Sequence, residues 1–208
     1  MELRLIACIL MGYLLGSLNG ALVVSRVLMH DDVRKKGSGN AGLTNFLRTY
    51  GGWITVLVLV IDLGKMVGAC LLAKVILPEH PEFAKMMTGV CVQIGHILPV
   101  FFRFKGGKGI LCSAALAAVM DWRIFAIVMT VFFILFFATR YVSLGSIMAS
   151  VTFAICFMLF FHAEHPWVGY MGIAMAVIAI YMHRGNIQRL LKGEERKTHF
   201  HKSKNKEV

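Results

Sequence analysis

Apolar positions in this chain are not spread at core spacing but gathered into long runs. Ile54–Val60, Ile124–Ala138 and Leu144–Phe161 carry few polar residues, and Ile124–Ala138 holds one threonine in fifteen positions. Such runs suit lipid as solvent, because a helix satisfies its backbone polar groups internally. About 20 apolar residues cross a hydrocarbon core about 30 Å thick. The pattern predicts helices near 3–24, 53–77, 86–102, 124–139, 144–161 and 167–182. A shorter run, Ile110–Met120, lies between Gly109 and the polar Asp121-Trp122-Arg123. It is short for a span, so it is tilted, extended through Gly109, or re-entrant. Counting it gives seven crossings; a re-entrant segment instead puts both chain ends on one side. The expected fold is all-α: a polytopic membrane helical bundle of seven transmembrane helices, forming a single integral-membrane domain over 1–208.

Composition agrees with the pattern. The chain is 58% hydrophobic and 16% charged, with a mean hydropathy of +0.71, whereas soluble domains run about half apolar and about a quarter charged. Arg4 followed by an apolar stretch imitates a signal peptide, but the stretch continues to about Val24 without a small-residue cleavage site, so it reads as a retained span. Cys8, Cys70, Cys91, Cys112 and Cys156 all fall in apolar runs. An odd number at wide spacing argues against a disulfide framework or a zinc site and for small apolar packing residues. Gly16/Gly20 and Gly64/Gly68 are spaced for close helix contact.

Charge orients the spans. Segments 25–50, 103–109, 140–143 and 183–208 hold 17 of the 22 Lys and Arg residues, whereas loops 78–85, 121–123 and 162–166 hold two. Basic residues mark the cytoplasmic side. Seven spans with the N-terminus outside put every basic segment, including the tail 183–208, in the cytoplasm. Anionic lipid accounts for part of this excess, but not for the glycines that accompany the basic residues in the short loops.

Four stretches on that side carry chemistry. In Lys36-Gly37-Ser38-Gly39-Asn40-Ala41-Gly42-Leu43-Thr44-Asn45-Phe46-Leu47-Arg48, glycines alternate with hydroxyl and amide side chains. Glycine lets backbone N–H groups turn toward an anion, and Arg48 can grip a phosphate with two prongs. Arg34 lacks that setting and is expected to be dispensable. In Gly95-His96 through Lys105-Gly106-Gly107-Lys108-Gly109, two lysines sit among three glycines before a helix N-terminus, a phosphate cradle of backbone donors, dipole and charge. It is not a P-loop, because Gly109 follows Lys108 where Ser or Thr is needed. Arg140-Tyr141-Val142-Ser143 opens a helix, where Ser143 could also be a cap. In the fourth stretch His183 and Asn186 share a helix face beside Arg184.

Together these stretches resemble the bacterial acyl-phosphate:glycerol-3-phosphate acyltransferase family, the PlsY type. The likeness runs from Tyr13-Leu14-Leu15-Gly16-Ser17 through Gly-Ser-Gly-Asn, Gly-His, Phe-Lys-Gly-Gly-Lys-Gly, Arg-Tyr-Val-Ser and His-Arg-x-Asn-Ile to the Leu-Leu-x-Gly-x-Glu tail. The resemblance implies transfer of a fatty acyl group from acyl phosphate to the 1-hydroxyl of glycerol 3-phosphate. The products are lysophosphatidic acid and inorganic phosphate, the first step of phospholipid synthesis. It implies a cytoplasmic active site in the bacterial inner membrane, no cofactor and no metal. The implied partners are membrane lipids and, in passing, the soluble enzyme that makes acyl phosphate; no nucleic acid is expected. Catalytic roles map to Ser38, Arg48, Ser143, His183 and Asn186. Substrate-binding roles map to Gly37, Gly39, Asn40, Thr44, Asn45, His96, Lys105, Gly106, Gly107, Lys108 and Gly109, and a structural role to Glu195.

Three departures stand out: Gly185 where many relatives carry Glu, Ile110-Leu111-Cys112 where Val-Ala-Thr is common, and Met66 where Gly follows Asp-x-x-Lys. None removes a mapped catalytic group. Acyl phosphate is an activated mixed anhydride, so the work left is to hold two anions together and to stabilise the carbonyl oxygen. His183 and His96 are candidate bases by type; the resemblance favours a substrate phosphate as proton acceptor.

An alternative class, a transporter of an anionic phosphate ester, expects its site near the bilayer midplane, whereas these groups cluster at one face. Asp62 and Lys65 are intramembrane and three apart, which predicts a mutually satisfied pair; alone, each costs about 2.5–3.5 kcal/mol on insertion scales. A CDP-alcohol phosphotransferase needs clustered aspartates and a His-x4-Asp acyltransferase needs that motif; the chain has neither.

Overall fold

The computed structural model describes residues 1–163 and 165–198. Every regular element among them is helical: α1 (Glu2–Ser17), α2 (Gly20–Val27), α3 (Leu43–Tyr50), α4 (Ile54–Ile76), α5 (Pro81–Ile97), α6 (Ile110–Met120), α7 (Trp122–Thr139), α8 (Val142–Phe161), α9 (Pro166–Met182) and α10 (Arg184–Leu191). Short 3-10 turns at Val33–Lys35 and Val100–Phe102 shape the first and third connections. The last ten residues of the expected basic tail, 199–208, lie outside the described residues.

Four elements are long and apolar enough to cross a membrane: Ile54–Ile76, Pro81–Phe102, Trp122–Thr139 and Val142–Phe161. Two bent pairs, α1 with α2 and α9 with α10, raise that to six. The seventh expected crossing rests on α6, whose eleven residues rise only about 16 Å at 1.5 Å per residue.

The first predicted helix is in fact two. It breaks after Ser17 and restarts at Gly20, bent by 47°. Asn19 makes the restart, its side chain accepting from Leu22 N at 3.1 Å as an N-cap does. Pro81 and Pro166 open α5 and α9, where a missing N–H leaves no bond unmade.

Close packing depends on particular glycines. A Cβ at Gly16 would overlap the Val92 backbone on α5, and one at Gly20 would lie 2.7 Å from Val58 O on α4. That expected small-residue pair therefore serves two different neighbours. The other pair does not pack at all: nothing lies within 4 Å of a Cβ built on Gly64 or Gly68. Their four-residue spacing was right for contact, but both point away from the neighbouring helices.

The core gathers Met66, Cys70, Met86, Cys112, Leu116, Phe153 and Met175 from α4, α5, α6, α8 and α9. All five cysteines are buried and free, as small packing residues should be. From α7 only Ile124 and Val128 are buried, and both join this core. Trp122, Phe125, Ile127, Phe133, Ile134 and Phe137 face outward, as lipid-facing residues do, whereas Phe132 packs against the core. Hydrogen bonds bring the connections around residues 28–53, 98–109 and 140–141 together with α10 and the segment after it at one end. Glu79, ion-paired to Arg4 at 2.8 Å, marks the other.

Candidate active site

The first loop is built around Asn45. Its amide oxygen accepts from Ser38 N at 2.8 Å, while its NH2 donates to the carbonyls of Val33 at 3.1 Å, Lys36 at 3.1 Å and Asn40 at 3.0 Å. Asn45 thus shapes the loop through both ends of its amide. Gly37 and Gly39 have φ of 60° and 74°, a region that side chains disfavour, and a methyl at Gly37 would collide with Asn45 Oδ1. The Ser38 side chain is exposed, Asn40 and Thr44 are half-buried, and Arg48 reaches out from the last turn of α3.

Arg34 is tied into the structure more firmly than its plain sequence setting suggests. Its guanidinium grips Asp32 with two prongs, Nε to Oδ1 at 2.9 Å and Nη2 to Oδ2 at 2.7 Å. It also donates to Phe102 O and Lys105 O, both at 2.9 Å. Bonding to Arg34 holds the Asp32 carboxyl well below the usual range. The residue therefore stitches the first loop to the glycine–lysine loop, a contact across 71 positions of sequence that no local pattern announces.

In the glycine–lysine loop, Gly106 N donates to Ile97 O at 3.0 Å and Gly107 N to His96 O at 3.1 Å. A methyl at Gly106 would overlap His96 O, and one at Gly107 would overlap His96 Nε2. His96 itself is only 4% exposed and turned inward. It backs the loop from behind, where a direct substrate role had been expected. Lys105 is exposed; Lys108 is half-buried and donates to Asn186 Oδ1. Gly109 has φ of 81°, and Gln93 fills the space a side chain would need. Gln93, which bonds Ser113 Oγ at 3.1 Å and Met175 O at 3.3 Å, is a supporting residue missed by motif reading. Its signal was a polar residue inside an apolar span.

The tail brings the remaining groups together. Asn186 Nδ2 donates to Glu195 Oε1 at 2.6 Å and Arg189 Nε to Oε2 at 2.7 Å. Burial works against the Glu195 charge, yet these donors, with Ser143 nearby, hold its carboxyl below the ordinary range. Ser143 Oγ is buried and makes no hydrogen bond of ordinary length. Arg48 and Lys108 both feel the Glu195 charge. Among the described residues Arg48 makes long contacts, to Arg196 O at 3.5 Å and Thr198 Oγ1 at 3.4 Å. His183 is 3% exposed, and its Nδ1 must donate to Ala179 O at 2.8 Å, which leaves the Nε2 lone pair available. Burial pushes the Lys108 ammonium down to about 8, with the Glu195 charge opposing and Arg189 adding to the fall.

Lys108, Ser143, Asn186, Arg189 and Glu195 thus converge from four separate parts of the chain, with Arg48 and His183 at the margin. Ser38 and Lys105 sit on the adjoining loops. Among the described residues no group of three metal-ligating side chains occurs.

A sequence model described as "Glycerol-3-phosphate acyltransferase" matches residues 6–193. A glycerol-3-phosphate acyltransferase of Shouchella clausii is 34% identical, covering 95% of this chain and 97% of the relative. One of Thermoanaerobacter sp. is 36% identical, covering 90% and 92%. The fold is similar to a crystal structure of PlsY (YgiH), an integral membrane glycerol 3-phosphate acyltransferase, in its glycerol 3-phosphate form. The TM-score is 0.84 at 33% identity, covering 94% of this chain and 96% of that one. A lysophosphatidic acid form gives a TM-score of 0.81 at 31% identity. On sequence over nearly its whole length, and on fold, this chain belongs to the glycerol-3-phosphate acyltransferase family.

Proposed function

We propose that this protein transfers a fatty acyl group from acyl phosphate to the 1-hydroxyl of glycerol 3-phosphate, releasing lysophosphatidic acid and inorganic phosphate. The single observation that carries the reading is the meeting of Asn186 and Arg189 on one carboxylate, Glu195, with Lys108 donating to Asn186 and with Ser143 and Arg48 beside them. Donors that converge on one anion suit a reaction whose two substrates both carry phosphate. The PlsY neighbours, described in glycerol 3-phosphate and lysophosphatidic acid forms, support the same acceptor and product here.

The steps balance without a cofactor. The acceptor hydroxyl oxygen bonds to the acyl carbon, the bond from that carbon to the phosphate oxygen breaks, and phosphate leaves with the electron pair. The hydroxyl proton passes to a phosphate oxygen. Arg48 and Lys108 balance phosphate charge, with Lys105 on the adjoining loop. Ser38 and Ser143 offer hydroxyl donors to phosphate or to the carbonyl oxygen as it gains charge. The His183 Nε2 lone pair and Asn186 orient the acceptor. Gly37, Gly39, Asn40 and Thr44 shape one wall of the site, and Gly106, Gly107 and Gly109 the other, with Asn45 and His96 behind them and Glu195 tying the tail in place.

We place this site at the cytoplasmic face of a bacterial inner membrane, in one seven-span domain over residues 1–208 with the N-terminus outside. The charge asymmetry and the gathering of the motif loops at one end support that orientation. The soluble enzyme that supplies acyl phosphate is a transient partner at that face. The donor is tested by offering purified protein glycerol 3-phosphate with acyl phosphate, acyl-CoA or acyl carrier protein thioester. Product from acyl phosphate alone supports the reading; equal product from a thioester refutes it.

A further inference from the structure

Behind the glycine–lysine loop, and away from the groups that meet Glu195, lies a buried polar cluster of Asp62, Lys65, His96 and Asn19. Their exposures are 0%, 8%, 4% and 0%. The sequence pattern predicted a closed Asp62–Lys65 pair, and the ion pair is there at 2.8 Å. It is not closed. Asp62 Oδ1 also accepts from Gly20 N at 3.0 Å and lies 3.3 Å from His96 Nδ1, while Oδ2 has no partner among the described residues. Lys65 Nζ lies 3.1 Å from both Gly16 O and Leu18 O, and 2.9 Å from His96 Nδ1. Three ammonium hydrogens thus face four polar atoms.

The contact with His96 has a positional consequence. His96 Nδ1 lies 2.9 Å from the Lys65 ammonium and 3.3 Å from Asp62 Oδ1, so the pair holds that edge of the ring and turns the opposite edge, Nε2, toward the loop. That atom faces Gly107: a methyl there would overlap it, and His96 O already accepts from Gly107 N at 3.1 Å. Asn19 extends the cluster to the first loop, donating to Ala41 O at 3.1 Å while lying 3.4 Å from both His96 Nδ1 and His96 O. A Cβ at Gly107 would also approach Ala41 O to 2.7 Å. One ammonium in α4 therefore fixes the ring that backs Gly107, and the same cluster reaches the first loop.

We infer that Lys65 is a positioning residue for glycerol 3-phosphate binding: it fixes the His96 ring so that Gly106 and Gly107 keep the backbone shape that receives the acceptor's phosphate. Its role is exerted through His96, and it touches no substrate. The inference deepens the proposed function, resting on the assignment of this loop to glycerol 3-phosphate. It separates Lys65 from Lys85, which is also 8% exposed and ion-paired three residues away, to Glu82 at 2.9 Å. Lys85 lies in the first turn of α5, whereas His96 is at its other end.

The test compares Lys65→Met, the charge-balanced Asp62→Asn/Lys65→Met, and Lys85→Met as a control for losing a buried cation. The protein is purified intact, and glycerol 3-phosphate affinity is titrated by calorimetry independently of turnover. Displacement of a binding group by about 1 Å costs up to about 100-fold. The Lys65 variants should therefore weaken glycerol 3-phosphate binding about 10- to 100-fold and leave KM for acyl phosphate within twofold. Lys85→Met should lower the melting temperature and leave that affinity alone. Should the Lys65 variants not fold, His96→Gln, which keeps a polar group near the Nε2 position and drops the ring, is read the same way. Unchanged glycerol 3-phosphate affinity in folded variants, or equal weakening by Lys85→Met, overturns the inference. If the wild type binds glycerol 3-phosphate but does not turn over acyl phosphate, the donor assignment fails and the binding comparison still decides the role of Lys65.

Discussion

Arg48 and Arg34 stand 14 positions apart, and their surroundings give them different work. Arg34 is locked to Asp32 and to two carbonyls of the next loop. Arg48 reaches the site with long contacts to the tail. Arg48→Lys keeps the charge but loses the planar fork, and one charge-assisted bond contributes about 1.5–3 kcal/mol. It should therefore cut kcat/KM by about 10- to 100-fold with the melting temperature unchanged, and Arg48→Ala by more. Arg34→Ala should instead lower the melting temperature. Steady-state kinetics with thermal unfolding tests the contrast, and Arg48→Lys keeping more than half the wild-type kcat/KM would reject the clamp. Lys108 adds a pH signature. Burial brings it to about 8, so the free enzyme loses this cation as pH rises through about 8, and KM for glycerol 3-phosphate should climb above that pH. Lys108→Arg, which stays charged, should remove the climb; a flat wild-type profile from pH 7 to 9 counts against a charge role for Lys108. The motifs made Arg48 and Lys108 legible. Arg34, Asn19 and Gln93 were not, because each works through contacts more than 20 positions away or inside a span where polarity reads only as an exception.

Element boundaries follow the same division between local and distant causes. Helices α7, α8 and α9 were legible as long apolar runs and α4 as one that Asp62 and Lys65 interrupt, and α5 and α9 gain prolines at their starts. The break between α1 and α2 was not, since Asn19 in an apolar stretch looks like a tolerated polar residue until its cap to Leu22 N is seen. Gly64 and Gly68 show the converse, a correct local pattern with nothing opposite it. The glycine–lysine loop is where element geometry and chemistry meet, and Gly107 tests it most sharply. A methyl there meets His96 Nε2 and Ala41 O, so the loop must move away from both. Gly107→Ala should raise KM for glycerol 3-phosphate at least tenfold and leave KM for acyl phosphate within twofold. Equal effects on both substrates would show that the loop does not discriminate between them.

Across the whole molecule the helices carry residues 28–53, 98–109, 140–141 and 183–198 to one end, and the same segments hold most of the basic charge. That end was legible from charge alone; the number of crossings was not, because α6 has only eleven residues and two spans are bent pairs. Orientation is checked with an impermeant thiol reagent on intact cells carrying His80→Cys or Lys36→Cys, the native cysteines being buried. Position 80 should label and position 36 should not; labelling at 36 would invert the topology. The central claim, that the converging groups join an acyl phosphate to glycerol 3-phosphate, is tested most directly by product stoichiometry. Purified protein is given acyl phosphate with and without glycerol 3-phosphate, and lysophosphatidic acid and inorganic phosphate are measured together. The account predicts equal amounts of the two products, with both dependent on glycerol 3-phosphate and both lost together in Arg48→Ala. Phosphate released at the same rate without glycerol 3-phosphate, or lysophosphatidic acid formed without matching phosphate, would contradict it.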